Sequence, residues 1–584
     1  MLKYIVYFLF FYLLSVVFFT VQDIPNGVIE SKKYRFLFVG ITTSYILLAL
    51  FLFPKINKIE LNRIDIFLIT FLIWTVINSF ILNHQSISIT LSVFICSTTL
   101  SLILKQFIKT NSNYLSPFIY FCVLIGGLEA LIGFFQLQGY LVSFHYAFKM
   151  TGNFHNPAPF GIYIAAIFVF GLGNVLFTQN IRLEILSKIV CLICLLVLPS
   201  SESRSAWIGV IVGSLYLFHA KYGFDYYKKY FNNKYVISGT LISMLGLIIT
   251  LWNYKVNSAV GRILIWKVSF EIAKKNLFTG IGFGEFINQY GFYQADFFRK
   301  NPNNTVFINL ADNVEHVFND YLQILVENGL ITFIVYILTL YIILFSKPIR
   351  MSDHFHPVKA GLLVIVSSSF FSYPLTMIPI WWLFLFFTCL ISIDIKDTYS
   401  LKIPYFIKIL IVIVTGVISL NVLRYFSNEY DAKKKWYRAN VAVKRENFKV
   451  TESLYTEAIK NLPNEKSIMV DYGIILLING KPKQSVEILE KASKSVSNQY
   501  LFSNLGKGYQ QIEKYDLAEK AYLQSINMIP NRMFPRYLLA KMYLQKQDTI
   551  KAKEIAKQII NMKVKVPSEK TKNMLNEMRQ LLLY

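Results

Sequence analysis

Up to about residue 425 the chain is a succession of long apolar runs separated by short polar loops. An apolar run of roughly 18 or more residues crosses the hydrocarbon core of a bilayer as a helix. The pattern predicts such helices near 3–21, 36–53, 65–82, 88–104, 116–138, 157–178, 184–200, 205–218, 236–252, 319–346, 358–374, 376–394 and 404–423. The first run carries no small-residue cleavage site and reads as a retained helix rather than a signal peptide. From about Tyr430 the pattern changes: apolar residues recur at helical spacing among many Lys and Glu, as in water-facing amphipathic helices. The expected fold is all-α, with a polytopic bundle of about 12–13 spans over 1–425 and a helical tail over 426–584.

The tail repeats itself with a period of about 34 residues. Phe502, Leu505, Gly506, Tyr509, Ala518, Tyr522 and Pro530 stand at the spacing of a tetratricopeptide repeat. Ala540, Tyr543, Ala552 and Ala556 follow about one period on, and Gly473, Leu476, Leu489 and Ala492 precede. Trp436, Ala439, Ala442, Tyr455, Ala458 and Pro463 make a looser copy. Small residues at these positions let paired helices approach closely, and stacked pairs bury a continuous core. The expectation is an α-solenoid of three to four repeats with 567–584 as a capping helix. Such solenoids present concave peptide-binding surfaces, which points modestly to a protein substrate or partner.

Composition narrows the function. With 54% hydrophobic and 16% charged residues, against about 25% charged in soluble domains, most of the chain cannot face water. The net charge of +25 lies about half in the tail and otherwise singly in short loops. That distribution suits placement against the cytoplasm and contact with anionic lipid or diphosphate groups, and argues against nucleic acid. With the N-terminus inside, inner short loops hold seventeen Lys and Arg; outer ones hold five, Lys32, Lys33, Arg35, Lys149 and Arg204. This orientation sets 139–156, 200–205 and the long loop 253–318 on the outer face, and an odd span count puts the tail there too. All five cysteines lie in apolar stretches, so Cys191-x-x-Cys194 reads as small helix residues rather than a metal or redox pair. No metal or cofactor is expected.

Polar residues gather on the outer face in four clusters. Thr151–Pro157 includes Asn153 and Asn156; it is either a plain turn or the rim of a site. Arg204, in Ser200–Trp207, either snorkels or binds an anion with its permanently charged fork. Arg262 and Trp266 open a stretch over 265–276 that reads as an interfacial helix, and Gly280-x-Gly282-x-Gly284 follows without the preceding strand that a nucleotide site needs. Asp312, Glu315, His316, Asn319 and Asp320 close the long loop; they offer a general base for a hydroxyl, or simply a solvated, capped helix start.

Taken in order, Thr-Gly-x-Phe-x-Asn-Pro from 151, Ser-Arg-x-x-Trp from 203, Gly-Arg-x-x-x-Trp from 261 with Gly-x-Gly-x-Gly from 280, and Asn-Asp-Tyr-Leu-Gln from 319 with Glu-x-Gly-Leu from 327 resemble the O-antigen ligase superfamily. By motif the resemblance covers roughly 150–400. It implies a metal-independent, inverting glycosyltransferase of lipopolysaccharide and cell-envelope biosynthesis, in a bacterial inner membrane. Such an enzyme moves a glycan from an undecaprenyl-diphosphate carrier, at the periplasmic face, onto lipid A–core. Protein O-oligosaccharyltransferase and O-antigen polymerase are the alternatives within the superfamily. The resemblance implies that Arg204 and Arg262 grip the donor diphosphate. The family's ligase signature is His, then Asn, Ser or Gln, nine residues, Gly, two residues, then Gly, Thr or Tyr. Asn319, Gly329 and Thr332 keep that spacing, but Phe318 stands at the histidine position and His316 two residues earlier. Two residues turn a helix by about 200°, so His316 serves as base only if 312–317 is loop; otherwise Asp312, Glu315 or Asp320 stands in. The non-enzyme alternatives are a flippase for lipid-linked sugars, which calls for ionisable residues at mid-membrane depth that the spans almost lack, and a repeat scaffold.

Overall fold

The computed structural model describes residues 2–52, 58–231, 238, 256–349, 351–445, 447–462, 465–565 and 567–583; all but one residue of the span expected at 236–252 lies outside them. The chain divides into two compact units, 1–253 with 318–431 and 254–317 with 432–584. The sequence pattern attached the long loop to the membrane bundle. By contact, 254–317 belongs instead with the repeats.

The first unit is a multi-pass helical bundle. Its described helices are α1 (Leu2–Leu14), α2 (Gly27–Leu52), α3 (Arg63–Ile77), α4 (Ile89–Thr110), α5 (Leu115–Leu137), α6 (Pro157–Phe177), α7 (Ile181–Val197) and α8 (Arg204–Phe231), then α12 (Asp320–Phe345), α13 (Phe355–Ser368), α14 (Ile378–Ile393) and the start of α15 (Tyr405–Val443). Among the described residues seven helices are long and apolar enough to cross a membrane, and the segments 3–18, α13 and α14 are shorter apolar helices. Burial explains one of the shorter ones. Every residue of α14 from Ile378 to Ser392 is buried, so this helix is the centre of the bundle and needs no lipid-facing length of its own. The apolar half of α15 is the opposite case, with only 6% of it buried, as a lipid-facing surface requires.

Buried charge is more common than the sequence pattern suggested. At one end of the bundle β1 (Lys58–Leu61) pairs antiparallel with β2 (Tyr399–Lys402). Beside it Lys105 bonds Asp65 and, at 3.2 Å, Asp397, while Lys109 bonds Glu60 and Asp397. Lys58, Lys105, Lys109 and Lys402 therefore gather at one end. Glu129 in α5 and Glu327 in α12 are also buried. Burying such charges is tolerable only because each has partners. Lys32, counted among outer-loop residues, lies inside α2, which starts at Gly27 rather than 36, and is buried.

One helix breaks for a definable reason. Gly329 in α12 has φ 76° and ψ 179°, a region that only glycine occupies without strain. The Asn328 carbonyl next to the break accepts from Asn78 Nδ2 (3.0 Å) and Thr332 Oγ1 (2.7 Å).

The second unit is a helical-repeat array: the end of α15 with α16 (Phe448–Asn461), α17 (Lys466–Ile478) with α18 (Pro482–Ser493), α19 (Gln499–Gln511) with α20 (Tyr515–Met528), and α21 (Met533–Gln545) with α22 (Thr549–Ile560), closed by α23 (Glu569–Leu583). Ala458, Ala518, Ala540 and Ala556 are fully buried. A Cβ on Gly506 would come within 2.5 Å of the Tyr522 ring, so a side chain there would force the pair apart.

The long loop forms α9 (Val256–Lys275), α10 (Phe286–Lys300) and α11 (Thr305–Leu310) and is held by the turns between repeats. Ser497 N–H donates to the Asn288 carbonyl (2.8 Å), Gln294 Nε2 to the Met528 carbonyl (2.6 Å) and Asn531 Nδ2 to the Ala311 carbonyl (2.8 Å). Lys466 pairs with Glu285 at 2.9 Å.

Replacing Gly329 by Ala should cost about 1–3 kcal/mol, the usual penalty of such a backbone conformation for a residue with a side chain. The check is the thermal midpoint of the detergent-solubilised protein. An unchanged midpoint would mean that the break is not strained.

Candidate functional site

In the membrane unit the site is built around a clamped turn. Glu129 and Gln136 lie seven residues apart, on one face of α5. Glu129 Oε1 accepts from the Asn153 backbone N–H and Oε2 from Asn153 Nδ2, both at 2.7 Å. Gln136 Oε1 accepts from the N–H groups of Thr151 (3.0 Å) and Gly152 (2.7 Å). Lys32 donates to the Asn153 carbonyl, and its ammonium lies 5.2 Å from the Phe154 ring centre. Gly152 has φ 55°, and a Cβ there would collide with Glu129 Oε1 at 2.2 Å. Asn156 caps α6 by accepting from Ala158 N–H at 2.9 Å. Asn153 and Asn156 therefore both have structural work in this turn.

The second cluster meets the first. Ser203 Oγ donates to the Ala158 carbonyl at 3.4 Å, and a Cβ on Gly161 would touch Ser201 Oγ at 2.7 Å. Ser368 Oγ at the end of α13 donates to the Ser205 carbonyl at 3.0 Å. Between them Arg204 opens α8 half-buried, at a helix start where backbone N–H groups favour anions.

The end of α13 in turn grips the start of α12. Asp320 Oδ2 accepts from Ser369 Oγ (2.9 Å) and Leu375 N–H (3.1 Å), and Asp320 N–H donates to the Ser369 carbonyl (2.9 Å). Asp320 is buried and acts as a brace. Asn319 caps α12, accepting from Leu322 N–H at 3.0 Å. Phe318 adopts φ 58°, and its ring meets Tyr373 edge-on at 5.1 Å between centres. On Tyr373 too, at 6.5 Å, lies the His155 ring. Burial, with the charges of Lys32 and His145, pushes this imidazole down to about 4, so it is neutral at physiological pH.

The other candidates belong to the second unit. Arg262 and Trp266 are one turn apart on α9 and share a face; Trp266 Nε1 donates to the Val317 carbonyl at 3.0 Å. Residues 312–319 are not helical, so the condition that would let His316 act is met. Glu315 is exposed. Asp312 is engaged elsewhere, accepting from Arg532 (2.9 Å) and Lys565 (3.2 Å). Burial alone would raise its carboxyl; the Arg532 hydrogen bond and the charges of Lys565 and Arg532 outweigh that and hold it below the ordinary range. Among the described residues no group of three or more His, Cys, Asp or Glu converges as a metal-binding set.

Sequence reasoning missed Lys32, Glu129, Gln136 and Tyr373 as site residues, and passed over His155 within Thr151–Pro157. The available signal was a carboxylate and an amide at seven-residue spacing in an otherwise apolar span.

Residues 189–337 match the model of a family described as O-antigen ligase; the segment includes Arg204, Arg262 and His316. Among the curated proteins none matches the chain. Two solved structures are similar. One is the APC/C hetero-tetramer Cut9–Hcn1, at 10% identity and TM-score 0.23, covering 94% of this chain and 85% of that one. The other is yeast Tom70, at 12% identity and TM-score 0.24, covering 83% and 96%. Likeness at this level carries no argument.

A folded-state carboxyl held low stabilises the fold above its unfolded value and loses that contribution as the pH falls through the lowered one. Asp312→Asn should therefore speed hydrogen exchange in 305–317 several-fold at pH 7. The wild-type protein should approach the variant only as the pH drops below about 3.9, the ordinary aspartate value. Equal exchange at pH 7 would show that Asp312 does not hold the loop.

Proposed function

With an O-antigen ligase segment at 189–337 inside a multi-pass membrane protein as the premise, we propose that this glycosyltransferase-like enzyme takes its glycan from an undecaprenyl-diphosphate carrier. It passes the glycan to lipid A–core at the periplasmic face of a bacterial inner membrane, with the N-terminus cytoplasmic and the repeat domain periplasmic. The single observation that carries this reading is that the matched segment contains both arginines, Arg204 and Arg262.

Arg204 and Arg262 bind the donor diphosphate. When the glycosidic bond breaks, negative charge grows on the leaving diphosphate. A guanidinium holds such oxygens through two parallel charge-assisted hydrogen bonds. Groups placed where charge develops contribute about 10²–10³ each to rate. Arg204 adds the backbone N–H groups of the first turn of α8 to the same task.

Protein is the runner-up acceptor, and its motive was the repeat array. The turns of that array are already occupied in part by the chain's own loop through Ser497, Met528, Asn531 and Arg532. This favours a role for the repeats in holding the loop, and lipid A–core as acceptor.

The test compares surface glycans and periplasmic glycoproteins of the host carrying the wild-type chain, Arg204→Ala, Arg262→Ala or Arg204→Lys. Each alanine variant should lower one glycan product about 100-fold at normal protein level, with Arg204→Lys intermediate because ammonium is a point charge. Unchanged glycans in both alanine variants would remove the transferase reading.

A further inference from the structure

The transfer reaction releases a proton from the acceptor hydroxyl, and the sequence offers His316 to receive it. His316 lies, like Arg262, in the loop that packs with the repeats. A different histidine stands in the membrane unit. His155 ends the clamped turn, and its buried Nδ1 has no hydrogen-bond partner among the described residues. Buried polar atoms are nearly always paired; one left open beside a polar cluster is a place where an arriving hydroxyl completes the bonding.

Its surroundings fit that role. Three residues along, Ala158 holds the Ser203 hydroxyl through its carbonyl, and the next residue is Arg204, so base and cation stand on adjoining turns. The Tyr373 ring carries Phe318 on one contact and His155 on another. An imidazole at 318 would thus meet the same tyrosine that His155 meets. The turn itself cannot drift, because Glu129, Gln136 and Lys32 fix residues 151–153. Burial above all, and then the charges of Lys32 and His145, keeps the imidazole unprotonated before reaction.

We infer that His155 is the general base of the glycan transfer, taking the acceptor's hydroxyl proton on Nδ1. The inference rests on the glycan-transfer reading above. In the step, the hydroxyl oxygen forms a bond to the anomeric carbon of the carrier-linked sugar. The bond from that carbon to the diphosphate oxygen breaks, and its electron pair leaves with the diphosphate. The proton passes to His155 and then to water or the departed diphosphate.

The experiment measures glycan product per unit of full-length protein for His155→Ala, His155→Gln, His316→Ala and Phe318→His combined with His155→Ala, with Arg204→Ala alongside. Expected are a loss of about 100-fold in both His155 variants, less than a threefold change in His316→Ala, and partial recovery in the double variant. With purified protein the loss should fall on kcat while KM for the carrier-linked glycan stays, as a merely structural role would not produce. Should His155→Ala fail to accumulate, His155→Gln fills similar space and decides. Activity above half in His155→Gln with Arg204→Ala inactive overturns this inference alone, as does abolition by His316→Ala with His155→Gln active. Unchanged product in every variant, Arg204→Ala included, overturns the transfer reading and this inference with it.

Discussion

The carboxylate of Glu129 is the interaction on which the membrane unit's polar end depends. A carboxyl group inside an apolar helix is costly unless its oxygens are hydrogen-bonded, and the two oxygens of Glu129 accept from the backbone N–H and the side-chain amide of Asn153. That fixes a turn which no regular secondary structure would hold. From it follow the capped start of α6, the close fit of Gly161 against Ser201 and Ser203, and hence the place where Arg204 emerges. The brace continues through Ser368 and Ser369 to Asp320. Buried polar groups here are linked in series, so satisfaction of one fixes the next.

In the second unit the same economy works between a solenoid and a loop. The repeats expose unpaired backbone and polar groups at their turns, and the loop supplies partners for them: Asn288, Gln294, Ala311 and Asp312. The loop also buries apolar residues of its own helices, among them Leu264, Val268, Phe286 and Phe298, and the docking bonds fix its register on the repeats. Trp266 then uses its indole N–H to hold Val317, next to the histidine that the sequence singled out.

Much of the architecture was legible because hydrophobic patterning is local. Apolar runs located the helices, and small residues such as Gly506 and Ala518 located the repeats. Gly329 and Thr332 were visible as a spacing, although the reason for the glycine, a break whose freed carbonyl is taken by Asn78, required a contact across 250 residues. The site was less legible for the same reason. Asp312 and Asp320 looked like candidate bases; their partners, Arg532 and Ser369, lie far along the chain, and sequence distance hides such pairing. The pairing of Lys32 and Glu129 with Asn153 was hidden likewise, and single charges in apolar spans drew no attention until their partners were known.

The central claim is that this chain breaks a glycan–diphosphate bond rather than merely carrying a lipid-linked sugar. The most direct measurement places the purified full-length protein in lipid nanodiscs with an undecaprenyl-diphosphate-linked glycan and lipid A–core, and follows both lipids by mass spectrometry. The account predicts one glycosylated lipid A–core, of inverted anomeric configuration, for each free undecaprenyl diphosphate released. Carrier that stays fully glycosylated while the protein is folded and both lipids are present would contradict it.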